Sequence, residues 1–210
     1  MIELTKVTKT FKKEEVLKET TVSFEEGKIT GIIGRNGSGK TVLLKIICGL
    51  LSPTTGTVVV GGKRIGKDVD FPDNIGIIIE NPNFVPYQSA FTNLKNLASI
   101  RKRIGDGRIR EVLELVGLNP ADKKRVGKFS LGMRQRLGIA QAIMENPSLL
   151  ILDEPMNGLD KEGVEDMRTL LAKLREEGKT ILLCSHNAED IDVLCDTVYE
   201  MDKGVLKKIQ

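Results

Sequence analysis

The 210-residue sequence predicts an α/β fold, in which a mostly parallel sheet is covered by helices and joined to a strand-rich N-terminal part. Three observations predict it. From residue 128 to residue 210, helical and strand patterns alternate, the arrangement that builds parallel sheets. A short apolar run at 29–33 leads through a glycine-rich loop into a helix with an apolar face. The stretch from about 81 to 128 departs from this rhythm, with loop chemistry followed by two helical patterns, and reads as a small inserted lobe. The expected organisation is one domain over 1–210. Residues 1–88 and 128–210 form its core with the β portion, and about 89–127 form a helical subdomain.

The elements follow in order. Residues 2–7 alternate like a strand and lack the long apolar core of a signal peptide. Strands are expected at 16–24, 29–33, 57–60 and 75–79, separated by turn signals such as Glu26-Gly27-Lys28 and Ser52-Pro53-Thr54-Thr55-Gly56. Residues 42–48 read as a helix that Gly49 can end. Helical patterns sit at 93–100 and 109–116 in the inserted lobe. Beyond it, helices are expected at 131–145, 161–177 and 188–194, and strands at 149–152, 180–184, 197–201 and 205–209.

The loop between the strand at 29–33 and its helix reads Gly34-Arg35-Asn36-Gly37-Ser38-Gly39-Lys40-Thr41 and fits G-x-x-x-x-G-K-[ST]. Each residue type has a physical task. The glycines permit a tight turn that gathers several backbone N–H groups at one point. Those groups, with the positive end of the following helix, can hold a polyphosphate. Lys40 adds a mobile point charge for the outer phosphates, and the Thr41 hydroxyl suits a magnesium ion. Strand, glycine-rich loop and helix is the order this chemistry requires.

A second half of the site is written further along. Ser148-Leu149-Leu150-Ile151-Leu152-Asp153-Glu154-Pro155 is an apolar strand ending in two acids, at the sheet edge where ligands of open α/β sheets bind. Asp153 there suits magnesium, and Glu154 suits a general base that polarises the attacking water. His186, the only histidine, follows the strand at 180–184 and so arrives at the same edge, placed for a hydrogen bond to the γ-phosphate or the attacking water. In Phe129-Ser130-Leu131-Gly132-Met133-Arg134-Gln135-Arg136, Ser130 can cap a helix and Gly132 keeps its start open, so a phosphate can be received there too. Taken alone, that segment reads first as an ordinary capped helix, since most capped helices bind nothing.

These segments together resemble the nucleotide-binding subunit of an ABC transporter: the loop 34–41, the segment Ser130 to Arg136, the strand ending in Asp153-Glu154, then Gly158-Leu159-Asp160 and Ser185-His186, in matching order over nearly the whole chain. The resemblance implies a P-loop NTPase of the ABC ATPase kind, with an antiparallel N-terminal β portion. It implies Phe11, near Val16, as the aromatic that stacks on adenine. It places Ser130, Gly132 and Met133 on the nucleotide of a second subunit, so that two ATP molecules are clamped between two chains, and it makes Asp160 the acid that communicates between them. The partner is a second copy or a homologous ATPase subunit, and the cofactors are ATP and Mg2+. A separate transmembrane permease would hold the chain peripherally on the cytoplasmic face of the membrane. Two departures from the common pattern narrow the resemblance. Leu131 and Met133 stand where the signature L-S-G-G-Q has Gly and Gln, and Glu80 stands where a Gln usually touches the metal and the permease. Both features resemble subunits that export bacitracin, lantibiotics and related antimicrobial peptides. Glu80 would also add negative charge near Asp153 and Glu154.

Composition bounds the alternatives. With 32 Lys+Arg against 29 Asp+Glu, a formal charge of +3 argues for no nucleic-acid partner, and few aromatics with no Trp leave no base-stacking platform. Cys48, Cys184 and Cys195 lack metal spacing and sit in apolar contexts, as reduced, buried small hydrophobes would. The rival class is a soluble ABC-type ATPase acting on nucleic acid or protein. It requires a basic face, long coiled-coil insertions or two fused ATPase domains, and the basic clusters at 12–13, 101–103 and 123–125 are short and scattered. A transporter for another cargo stays open. For Phe84, Val85 and Tyr87, docking to a permease and packing of the lobe stay equally open.

Overall fold

A computed structural model describes residues 1–210. Two sheets organise them. The first has the order β2-β1-β4-β5, with β1 (Ile2–Phe11), β2 (Glu14–Phe24), β4 (Thr55–Val60) and the short β5 (Lys63–Arg64) all antiparallel to their neighbours. The second has the order β10-β9-β3-β8-β7-β6. Its members β3 (Ile29–Ile33), β6 (Ile75–Ile78), β7 (Leu149–Asp153), β8 (Thr180–Cys184) and β9 (Thr197–Asp202) run parallel, and β10 (Val205–Lys208) closes one edge antiparallel to β9. The expected α/β architecture with a mostly parallel core sheet and an antiparallel β portion is the observed one.

The continuous apolar runs of β7 and β8 have a plain cause: both strands are buried at every residue, because both faces of the sheet are covered. Successive side chains point to opposite faces, and the two faces feed two cores. Leu150, Leu152, Ile181 and Leu183 pack with residues of α2 (Ala90–Arg101), α3 (Asp106–Leu115), α4 (Leu131–Ile143) and α5 (Lys161–Glu176). Leu149, Ile151, Leu182 and Cys184 pack with α1 (Lys40–Ile47) and the apolar face of the first sheet, including Leu4, Leu17 and Val58. The inserted helices therefore share one core with α4 and α5: Leu94, Ile109 and Val112 belong to the same cluster as Leu137 and Leu150.

The differences from expectation are local. β1 runs on to Phe11 and forms a tight hairpin with β2, in which Lys12 takes a positive φ of 54°. α1 begins at Lys40, two residues before its apolar face, because Gly39 supplies the turn into it. α2 begins at Ala90 because Ser89 caps it, its hydroxyl accepting the Thr92 N–H at 3.2 Å. The loop before α2 divides between the two roles left open. Phe84 is partly buried against the core, whereas Tyr87 is 69 % exposed. The cysteines are unpaired. Burial pushes the Cys48 and Cys195 thiols up to about 12 and the Cys184 thiol well above its ordinary value. No helix is long and apolar enough to cross a membrane.

Candidate active site

The loop from Gly34 to Gly39 leaves the C-terminal end of β3 and turns directly into α1. Gly34 has φ +149°, and a Cβ there would lie 2.2 Å from the Met201 carbonyl oxygen, so a side chain has neither conformation nor space. Gly39 precedes α1 without a side-chain cap, which leaves the helix's first N–H groups without that partner. The Ser38 hydroxyl is buried with no hydrogen-bond partner. A native polar group in that state needs a reason, and an acceptor supplied by a ligand is a sufficient one. Lys40 is buried and folds back on the loop, donating to the Gly34 carbonyl at 2.5 Å and the Arg35 carbonyl at 3.3 Å.

Asp153 ends β7 beside this loop, and its carboxylate accepts the Thr41 hydroxyl at 2.7 Å. Residues separated by 112 positions thus share one point of a cleft of about 410 Å³. Loop residues Arg35, Asn36, Gly37, Ser38, Gly39, Lys40 and Thr41 line it together with Val16, Glu80, Gln135, Glu154 and Asn157. No group of three or more His, Cys, Asp or Glu side chains is arranged to hold a metal. A hydroxyl and one carboxylate suit magnesium, which takes few protein ligands and completes its shell with water and phosphate oxygens. The donor set fits that ion.

Glu154 follows at φ +52°, the left-handed region, where a residue with a Cβ is strained. Three contacts hold it there. Its N–H donates to the Cys184 carbonyl at 2.9 Å, and its own carbonyl accepts from the Gln135 side chain and the Asn157 N–H, both at 3.2 Å. The bend turns the Glu154 carboxylate toward His186, with 2.8 Å between Oε2 and Nδ1. His186 does not line the cleft itself. Its side chain is 66 % exposed, and it joins the site through Glu154.

Glu80 also has a positive φ, +60°, and pairs with Lys45 of α1 at 2.6 Å. The carboxylate lines the same cleft as Asp153 and Glu154, with the Lys45 ammonium as its partner. Phe11 does not line the cleft either. It lies on β1, 43 % exposed, with the Lys9 ammonium 4.9 Å from its ring centroid. Ser130, Gly132, Met133 and Asp160 all lie away from the cleft. Ser130 caps α4 by accepting the Met133 N–H at 3.2 Å, and Asp160 caps α5 by accepting the Gly163 N–H at 3.0 Å. A Cβ on Gly132 would come within 2.8 Å of the Gly158 carbonyl oxygen, so the start of α4 lies close against the loop before α5.

Four lining residues lie outside the site expected from sequence: Val42 and Asn81, which directly follow the expected Thr41 and Glu80, and Gln135 and Asn157. Gln135 lies in the quoted segment, and its spacing of three from Gly132 was the available signal. Asn157 had no signal beyond nearness to Glu154.

The family described as ABC transporter matches residues 17–157, a span that holds the loop, the segment at 130–136 and both acids. The chain belongs to the ABC transporter family. This ABC ATPase is 46 % identical over 99 % of its length to an uncharacterized ABC transporter ATP-binding protein, YybJ of Bacillus subtilis (strain 168), covering 95 % of that protein. It is 39 % identical over 98 % of its length to the bacitracin transport ATP-binding protein BcrA of Enterococcus faecalis, covering 68 % of that protein. Among solved structures, a dimeric post-hydrolysis state of the ATP-binding cassette MJ0796, bound to ADP and Pi, superposes with a TM-score of 0.89 at 27 % identity, covering 100 % of this chain and 99 % of that one.

Proposed function

We propose that this ABC ATPase binds and hydrolyses ATP between two subunits and thereby drives a separate membrane permease that exports an antimicrobial peptide of the bacitracin or lantibiotic kind. The observation that carries the proposal is the meeting of the buried Lys40, the partnerless Ser38 hydroxyl and the Thr41–Asp153 pair at one cleft. Loop residues 34–39 and Lys40 hold the phosphates, and Phe11 and Val16 flank the adenine. Thr41 and Asp153, with Glu80 at the rim, hold magnesium, which neutralises phosphate charge when bound. Glu154 takes the proton of the attacking water, and His186, aligned by its contact with Glu154, hydrogen-bonds the γ-phosphate or that water. Ser130, Gly132 and Met133 lie outside their own cleft because they serve the nucleotide of the second subunit, with Asp160 between the two. On this reading the chain sits at the cytoplasmic face of the membrane through its permease, which Tyr87 and its loop help to contact.

The cargo is tested in cells. Deleting this subunit while retaining its permease should lower resistance to bacitracin or a lantibiotic severalfold, and Glu154→Gln in place of the parent should do the same. Unchanged resistance to both peptide classes, with ATP hydrolysis intact in the purified subunit, removes the cargo and leaves the ATPase.

Glu80→Gln is expected to keep nucleotide binding and fold stability, because the lost Lys45 pair is solvent-exposed and such pairs contribute about 0–1 kcal/mol. Turnover or its coupling to resistance should change. An unchanged ATPase rate together with unchanged resistance would deny Glu80 any special part.

A further inference from the structure

Behind His186 lies a buried ionic network that the proposed chemistry does not use. Arg168 of α5 is 5 % exposed and Asp190, in the first turn of α6 (Ala188–Leu194), is 1 % exposed. The guanidinium donates to Asp190 Oδ1 from Nε at 3.0 Å and from Nη2 at 2.7 Å. The other carboxylate oxygen, Oδ2, accepts the Ser185 hydroxyl at 3.0 Å, and the oxygen of that hydroxyl accepts the Asn187 N–H at 3.1 Å. Glu165 at 2.7 Å and Glu189 at 3.0 Å complete the guanidinium at the surface side.

The consequence is geometric. Residues 185 and 187 are both tied to Asp190, directly or through one hydroxyl, and His186 stands between them. The histidine ring is mostly exposed and has no anchor other than its contact with Glu154. An exposed ring on an unrestrained turn would sample several rotamers. Here the flanking residues are tied from behind, which fixes the point from which the ring reaches Glu154. A buried ion pair is also poorly explained as a stabiliser, since well-packed apolar residues of similar volume often do as well or better.

We propose that Arg168, Asp190 and Ser185 are positioning residues that hold the His186 turn in register with Glu154. The proposal rests on the reading of Glu154 and His186 as the hydrolytic pair. α5 extends the arrangement: the helix that carries Arg168 is capped by Asp160, so the loop assigned to the subunit interface and the histidine turn are fastened to one rigid element.

The test uses the purified full chain. Arg168→Met and Asp190→Leu, made singly, should each lower Tm, because each leaves a buried charge or polar partner unpaired. Combined, they should recover most of the lost Tm while kcat stays about tenfold or more below the parent and KM for ATP moves less than about twofold. Ser185→Ala cuts the link to the turn and leaves Asp190 Oδ2 without that donor, so it should fold with a modestly lower Tm and lower kcat by about threefold to tenfold at unchanged KM, with Ser185→Thr restoring both. His186→Ala introduced into the combined variant should cost little more, since both changes disable one unit. Recovery of kcat together with Tm, an inert Ser185→Ala, or effects of His186→Ala that multiply with those of the network would each overturn the proposal. If His186→Ala leaves kcat of the parent unchanged, the assignment of the histidine itself falls and the positioning role falls with it.

Discussion

Replacing Glu154 with Gln is expected to slow ATP hydrolysis by roughly a thousandfold while leaving ATP binding intact. The amide matches the carboxylate in size, and the backbone contacts that hold residue 154 in its left-handed conformation do not involve the side chain: the N–H to Cys184, and the carbonyl to Gln135 and Asn157. The fold around the site should therefore be unaltered. What the substitution removes is a group able to take a proton from water. The amide still reaches His186, so a fall in rate cannot be ascribed to loss of that contact. Subunits that bind ATP and cannot release it by hydrolysis should accumulate as a closed pair, visible as an ATP-dependent increase in size on gel filtration. Single-turnover hydrolysis at saturating ATP isolates the chemical step. A parent-like rate in that assay would remove Glu154 from the role of base.

Much of this site could be read from residue order because its chemistry is local. The loop 34–41 needs its glycines, lysine and threonine at fixed offsets whatever the rest of the chain does. β7 and β8 were legible for a related reason: a strand covered on both faces must be apolar throughout, and the acids or histidine that follow must then lie at its open end. What could not be read was set by pairing across the chain. The Lys45–Glu80 pair joins α1 to the end of β6 over 35 positions, and nothing in either segment announces the other. The hold of Gln135 on the Glu154 carbonyl depends on how α4 lies over the sheet, and the Arg168–Asp190 pair depends on how α5 meets α6. Phe11 fell outside the expected strand because three threonines and four lysines among residues 5–13 weaken the apolar alternation, although hairpin pairing with β2 extends β1 to that residue. Local chemistry was encoded by spacing, whereas the supports behind it come from packing.

Lys40→Ala should abolish most nucleotide capture, with a loss of affinity of about a hundredfold, equivalent to roughly 3 kcal/mol. The ammonium is held in a buried position by two carbonyls of its own loop, Gly34 and Arg35. Carbonyl oxygens are weaker partners for a cation than phosphate oxygens, so the same ammonium gains when a polyphosphate enters the cleft. Removal of the side chain withdraws the one lysine that lines the cleft and leaves phosphate charge to backbone N–H groups, Arg35 and the helix end. Ala is a good helix former at the first residue of α1, so the helix itself should persist. Lys40→Met separates charge from packing, because it keeps an unbranched stem of similar length without the ammonium. Both variants should fail alike in equilibrium dialysis with labelled ATP, while their circular dichroism and Tm stay near those of the parent. Arg at the same position should not rescue binding fully, since a planar fork is a poor substitute for a compact point charge in a loop this tight. If Lys40→Ala retained as much labelled ATP as the parent, the convergence of the loop and the two acids on one cleft would have to serve a different ligand, and the roles assigned to Thr41, Asp153 and Glu154 would lose their common reference.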